Sequence, residues 1–196
     1  IEVAGILSEM KKFVLPNDYP DMSSSLMHIY LIEAGPRLLA GMSEESSAHA
    51  EQFLREMGVN ILLNKRVVDY RDHKVVLEDG TEIATRTFIW VSGVTGVTIG
   101  NLDASLIGRG GRIKVDSFNR VEGMNNVFAI GDQCIQLADE NYPNGHPQLA
   151  QVAIQQGELL AKNLIRMEKG QEMKPFHYRN LGTMATVGRN RAVAEF

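Results

Sequence analysis

The stretch MHIYLIEAG, residues 27–35, is an apolar strand pattern that closes on an acid and a glycine, with helical periodicity on either side. Ahead of it, IEVAGILSEMKKF places Val3, Ile6, Leu7 and Met10 at helical spacing. Behind it, MSEESSAHAEQFLREMGV reads as a helix with Ser43 as N-cap and Glu44 and Glu45 in the first turn. Ala50, Phe53, Leu54 and Met57 line one face of that helix, and Gly58 ends it. Between the first helix and the strand, LPNDYPDMSSSL reads as a polar loop with two prolines. Helix, strand, helix is the opening of an α/β architecture.

The pattern then changes. NILLNKRVVDY, HKVVLEDG and TEIATRTFIWVSG are β-rich, and Asp79-Gly80 between such runs is a hairpin signal. A small antiparallel meander is expected, leading into an apolar strand from Thr87 to Val91. Residues 94–125 read as loop-rich, with one short strand in GRGGRIKVD. NVFAIGD (126–132) follows as a buried parallel strand, and a long helix from about Gln148 to Met167 carries an apolar face of Leu149, Val152, Ala153, Leu160, Leu164 and Met167. Lys169-Gly170 ends that helix, and FHYRNLGTMATVGRNRAVAEF reads as a hairpin cut off at its second strand.

Composition removes several function classes. With 24 acidic against 20 basic residues, the net charge of -4 provides no basic face for nucleic acid. Cys134 is the single cysteine, so neither an internal disulfide nor a cysteine-based zinc cluster is available, which suits a reducing compartment. The histidines, His28, His49, His73, His146 and His177, match no ligand spacing, and no metal is expected. No apolar run approaches the roughly 18 residues of a membrane span. The chain opens inside a helical pattern with no cap before it, as a fragment would; a processed terminus is the alternative.

Three features carry chemistry. Glu33 stands at the end of the strand 27–35, where a dinucleotide-binding fold places an acid to accept hydrogen bonds from the adenosine ribose; a solvated strand-end acid is the plainer reading. The glycine fingerprint that should precede the first helix is missing, and Gly5 lies too late to belong to it, so Gly5 is expected to permit close packing of that helix instead. Without the fingerprint, a pyrophosphate loses its backbone donors, and nucleotide binding by these residues alone should be weak. In NVFAIGD, Gly131 lets the backbone approach a ligand and Asp132 can accept from a hydroxyl, such as one on a flavin's ribityl chain. In HPQLAQVAIQQG (146–157), Pro147 sits at the start of a helix whose positive end suits the pyrimidine edge of a flavin. Gln151 and Gln155, four apart, share a face and could hydrogen-bond the carbonyls of a quinone-like acceptor, or could simply be solvated.

IEVAGILSEM, LIEAGPRLL, DGTEI, FIWVSGV, NVFAIGD, AQVAIQQG and PFHYRNLGTMATVGR together resemble the type II NADH dehydrogenases, within the FAD-dependent pyridine nucleotide-disulfide oxidoreductase superfamily. AIGD marks only the superfamily, whereas AQVAIQQG with GTMATVGR is more specific. The resemblance implies a partial Rossmann-like FAD/NAD(P)-binding fold with an antiparallel β-meander and the start of a C-terminal β-hairpin. It divides the chain into an NADH-binding part (1–112), the C-terminal part of an FAD-binding domain (113–168) and the start of a C-terminal domain (169–196). It implies FAD and NAD as cofactors, and NADH and a quinone as reaction partners.

Carried over by position, it gives Asp132 to FAD, with Gly131, Ala150 and Gln151 beside the flavin. Glu2 becomes the acid near nicotinamide and flavin, Glu33 the ribose acid, and Ser92, Gly93 and Val94 the loop against the nicotinamide. Gln151 and Gln155 match the quinone-site glutamines. The glycine fingerprints and the membrane-docking helices of the family would lie outside these residues, and the full-length protein would sit peripherally on the cytoplasmic face of a membrane, with a homodimer possible. The alternatives are a relative that reduces another acceptor, and a module that keeps the fold but binds no cofactor.

Overall fold

The computed structural model describes residues 1–97 and 99–196, which form two compact units: Ile1–Trp90 with Gly182–Phe196, and Val91–Leu181.

In the first unit, helix α1 (Glu2–Glu9) begins after Ile1 without a side-chain cap. It continues through a π-helical turn, Met10–Val14, into α2 (Leu15–Asp18). The helical path therefore runs through Pro16, and the expected loop starts only after Asp18. Proline has no N–H for the i→i−4 ladder and its ring crowds the preceding turn; the widened π turn lies just where that conflict arises. Strand β1 (Ile29–Ile32) pairs in parallel with β2 (Val59–Leu62), Ile29 facing Val59 and Ile32 facing Leu62. Parallel neighbours need a crossover, and α3 (Glu44–Glu56) supplies it. Ser43 caps α3 by accepting from the Ser46 N–H at 3.1 Å.

Ala50 and Leu54 of α3 are wholly buried against Val59 and Ile61 of β2, together with Ala4, Leu38 and Met42. The same core takes Ala185, Val187 and Val193 from an antiparallel hairpin, β8 (Thr183–Thr186) with β9 (Ala192–Glu195). Both hairpin strands are present, the second running to Glu195. Gly5 provides the close approach expected of it, though against a turn: a Cβ there would lie 2.5 Å from the Gly188 nitrogen. A three-stranded antiparallel sheet, β3 (Val67–Arg71), β4 (Lys74–Leu77) and β5 (Glu82–Ala84), forms the expected meander.

Thr87–Val91 was expected to be a strand and is not one. It is bridged to no other strand among the described residues, Trp90 and Val91 are exposed, and Phe88 stacks on Tyr70 at 4.9 Å. Apolar β-formers become a strand only when a neighbour completes the ladder.

The second unit is built on a parallel pair, β6 (Ile113–Val115) with β7 (Cys134–Gln136), over a core of Ile113, Val115, Val121 and Cys134. NVFAIGD is not the buried parallel strand expected. Val127 and Ile130 are 43% and 36% exposed, and Phe128 makes only an isolated antiparallel bridge to Arg120. The reason is local: Val121 N–H donates to Val127 C=O and Ala129 N–H to Asn119 C=O, so the segment folds back on the turn before it. The parallel pairing passes instead to Cys134–Gln136, after the Gly131 turn.

Helix α4 (Ala150–Glu168) starts slightly later than expected and ends at Lys169 and Gly170 as expected. Its buried positions are Val152, Gln156 and Asn163, while Leu164 and Met167, expected in the apolar face, are exposed. Amide side chains hold α4 to the segment behind it. Asn163 donates to Lys174 C=O at 2.8 Å and accepts from its N–H at 2.9 Å.

Candidate functional site

Two acids of the first unit, Glu2 and Glu33, lie near the start of α1. Glu33 leaves β1 with its backbone still paired, donating to Leu62 C=O at 2.9 Å and accepting from Lys65 N–H at 3.0 Å. Its half-buried carboxylate turns back to accept from the Gly35 N–H at 2.7 Å, an acid closing its own strand-end turn. Glu2 lies exposed in the first turn of α1 and accepts from the Thr186 hydroxyl at 3.1 Å. Glu2 and Glu33 are both near enough to Ile1 to act on it electrostatically, so both carboxylates lie close to the start of α1.

In the second unit the expected flavin-side residues meet at one turn. Gly131 has φ +66, a left-handed conformation that a side chain would strain, and a Cβ there would come within 3.3 Å of Ala153 Cβ. Its N–H donates to Gln156 Oε1 at 2.6 Å. Asp132 follows with an exposed carboxylate, and its backbone C=O accepts from Gln148 Nε2 at 3.1 Å. Through Gln148 and Gln156 the Gly131–Asp132 turn is tied to both sides of the α4 start, where Ala150 and Gln151 begin the helix. No side chain caps α4 from Leu149. Its positive end is thus left to backbone donors, which suits an electron-rich ring edge.

Sequence reasoning did not single out Gln156, yet it is 1% exposed and holds the turn. The signal was available: Gln156 is one turn beyond Val152, on the face that is buried. The other glutamines are engaged with backbone. Gln155 donates to Arg179 C=O at 2.9 Å and accepts from its N–H at 3.0 Å, and Gln151 Oε1 accepts from Leu181 N–H at 3.1 Å.

Ser92, Gly93 and Val94 are exposed, in a loop anchored a few residues on by Gln133. That side chain accepts from Val97 N–H at 2.9 Å and donates to its C=O at 2.6 Å. Gln133 directly follows Asp132, so the loop and the Gly131–Asp132 turn share one anchor. Cys134 is buried next to the same turn; burial pushes its thiol up, opposed by contacts to Gln156 and Asn119, and keeps it protonated and unreactive. Among the described residues, no group of three or more His, Cys, Asp or Glu side chains could hold a metal. No helix among them is long and apolar enough to cross a membrane.

A parallel strand that ends in an acid, joined to its neighbour by a helical crossover, is the pattern of a dinucleotide-binding fold. The family model described as pyridine nucleotide-disulphide oxidoreductase matches residues 1–157, and the chain belongs to that family. Within it, the chain is 32% identical over 208 residues to the type II NADH:quinone oxidoreductase NdhA of Mycobacterium tuberculosis, covering 100% of this chain and 43% of the relative. It is 31% identical to the type II NADH:quinone oxidoreductase of Haemophilus influenzae, covering 89% of this chain and 39% of that protein. The chain therefore spans about two-fifths of the length of these curated relatives. Among solved structures, NDH2 from Plasmodium falciparum in complex with NADH superposes with a TM-score of 0.85 at 18% identity, covering 99% of this chain and 55% of that one. A ferredoxin reductase from Rhodopseudomonas palustris gives 0.61 at 20% identity, covering 79% and 38%. At such identities the solved structures establish the fold: α/β and Rossmann-like, with an antiparallel meander and a C-terminal hairpin.

Proposed function

We propose that this chain is part of an FAD-dependent NADH:quinone oxidoreductase. The observation that carries the reading is the Gly131–Asp132 turn, held against an uncapped helix start by Gln148 and Gln156. The residues fit a flavin: a glycine at positive φ, an exposed carboxylate beside it and a helix start with no side-chain cap. Sequence likeness to proteins named type II NADH:quinone oxidoreductases supports the choice of a quinone as acceptor.

FAD, when bound, would supply the two-electron exchange between NADH and the quinone. The chain's own residues bind and orient. Asp132 accepts from a ribityl hydroxyl, Gly131 admits the ring system, and the first turn of α4 at Ala150 and Gln151 stabilises negative charge at the pyrimidine edge. Glu33 accepts from the ribose of NADH through Oε2, since the Gly35 N–H engages Oε1. By sequence likeness alone, Glu2 is assigned to the nicotinamide, and so are Ser92, Gly93 and Val94. With Arg179 engaged by one amide proton and the carbonyl oxygen of Gln155, the second Nε2 proton is the donor for a quinone carbonyl, and Gln151 stands one turn away.

In this reading residues 1–112 serve NADH, 113–168 the flavin, and 169–196 open the C-terminal domain. The full-length protein would dock peripherally on the cytoplasmic membrane face and could pair as a homodimer. Full-length protein should purify yellow, with a flavin band bleached by NADH and restored by a soluble quinone; colourless protein would refute the proposal. In the same protein, Gln155→Leu should slow quinone reduction more than reduction of the flavin by NADH in stopped-flow traces. Wild-type rates in both half-reactions would sink the glutamine assignment.

A further inference from the structure

The loop that leads into α4 contains a buried polar pair with no role in the function proposed above. The side chains of His146 and Asp139 are only 4% and 5% exposed, and Nε2 lies 3.0 Å from Oδ2. The hydrogen bond from His146 holds the Asp139 carboxyl below its ordinary value, which makes the ionised carboxylate the acceptor and Nε2–H the donor. Tyr142, Phe176 and Tyr178 wall the imidazole, with ring centroids at 5.1, 5.2 and 5.9 Å. His146 Nδ1 and the Tyr178 hydroxyl are buried without a hydrogen-bond partner, so among the described residues Asp139 is the polar anchor of this ring.

The same carboxylate organises the loop itself. Asp139 Oδ1 accepts from Asn141 N–H at 3.0 Å, and its C=O from Tyr142 N–H at 2.9 Å. Gly145 N–H donates to Tyr142 C=O at 2.8 Å, and Arg112 Nη1 closes the end by donating to His146 C=O at 3.1 Å. Immediately beyond lie Pro147, then Gln148 with its bond to Asp132 C=O, then the α4 start that no side chain caps. Residues 139–146 thus run directly into the segment that opens α4.

We propose that Asp139 and His146 are a positioning pair: their buried contact holds residues 146–150, and through them Gln148 and the first turn of α4, against the Gly131–Asp132 turn. The consequence for cofactor binding rests on the flavin reading of that turn; the consequence for the loop does not. A buried imidazole that lost its acceptor would carry an unmet N–H and release the segment.

The test uses the full-length protein with Asp139→Ala, His146→Leu, the double variant, and Val115→Ala as a core change in the same unit. Asp139→Ala should speed amide hydrogen exchange at residues 146–152 by about tenfold and weaken FAD binding by about tenfold, the loss of one charge-assisted hydrogen bond. The double variant should be no worse than the more affected single one, because both remove the same contact. Val115→Ala should lower stability without singling out residues 146–152. Should Asp139→Ala not fold, Asp139→Asn keeps size and an acceptor but loses the charge, and should show about a threefold change in the same exchange rates. Wild-type exchange at 146–152, or single effects that add in the double variant, would overturn the pairing. A wild-type protein that binds no FAD would refute the flavin reading alone, with exchange still deciding the positioning role.

Discussion

At the scale of single residues, the site depends on buried carboxamides more than on charges. Gln156 is 1% exposed, and its Oε1 meets the Gly131 N–H at 2.6 Å, where an apolar replacement would leave a part-buried donor unmet. Such a group costs about 1–3 kcal/mol. Gln156→Leu should therefore lower unfolding stability by about that amount in urea, whereas Gln52→Leu, on the exposed face of α3, should change it by less than about 0.5 kcal/mol. Equal midpoints for the two variants would show that the Gly131 bond is not the support described. Glu33 illustrates a different balance, since its contact with the Gly35 N–H at 2.7 Å stabilises the turn while keeping the carboxylate beside the α1 start. The strand-end acid is thus both a structural cap and a candidate ribose acceptor.

At the scale of elements, α3 and α4 begin in opposite ways. Ser43 closes α3 with a side-chain oxygen on the Ser46 N–H, backed by Glu44 and Glu45 in the first turn. Ser43→Ala should cost about 1 kcal/mol in thermal or chemical unfolding, and an unchanged midpoint would remove the cap from the account. Helix α4 has Leu149 at the same position and no side-chain cap. Its hold on the chain comes from amide clamps at Gln155 and Asn163 along its length. Asn163→Ala should raise hydrogen exchange at Lys174 while leaving the first turn of α4 protected. Faster exchange over the whole helix would instead mean that the clamp supports α4 itself. An uncapped start with a well-anchored body is the arrangement expected of a helix that offers its N-terminus to a ligand.

At the scale of the whole molecule, acid should unfold the protein through carboxylates held below their ordinary values. Asp139 is lowered by His146, Glu195 by its bonds to Ser43 and Ser46, and Asp103 by Ser105. Each binds fewer protons folded than unfolded, so each contributes stability above its unfolded pKa and loses that contribution as pH falls through the folded one. The melting temperature should be nearly flat from pH 7 to about 5 and drop below about pH 4; a flat profile down to pH 3 would contradict these contacts. Asp139→Asn should flatten part of that drop, because it removes the most buried of these groups.

Local pattern alone determined the capped helix at Ser43, the Asp79-Gly80 hairpin, the strand leading up to Glu33 and the long helix closed by Lys169 and Gly170. In each, a cap, a turn residue or a period acts within a few residues of itself. Only tertiary structure decided that Thr87–Val91 stays unpaired, that NVFAIGD gives its parallel pairing to Cys134–Gln136, and that α4 buries Gln156 and Asn163 while exposing Leu164 and Met167. A strand exists by virtue of its neighbour, and a buried amide by virtue of the backbone group it meets; neither partner is written near it in the chain. Asp132, Gln151 and Gln155 could be named from the sequence as candidate site residues. The contacts that close the loop from Asp139 to His146 became visible only in the fold.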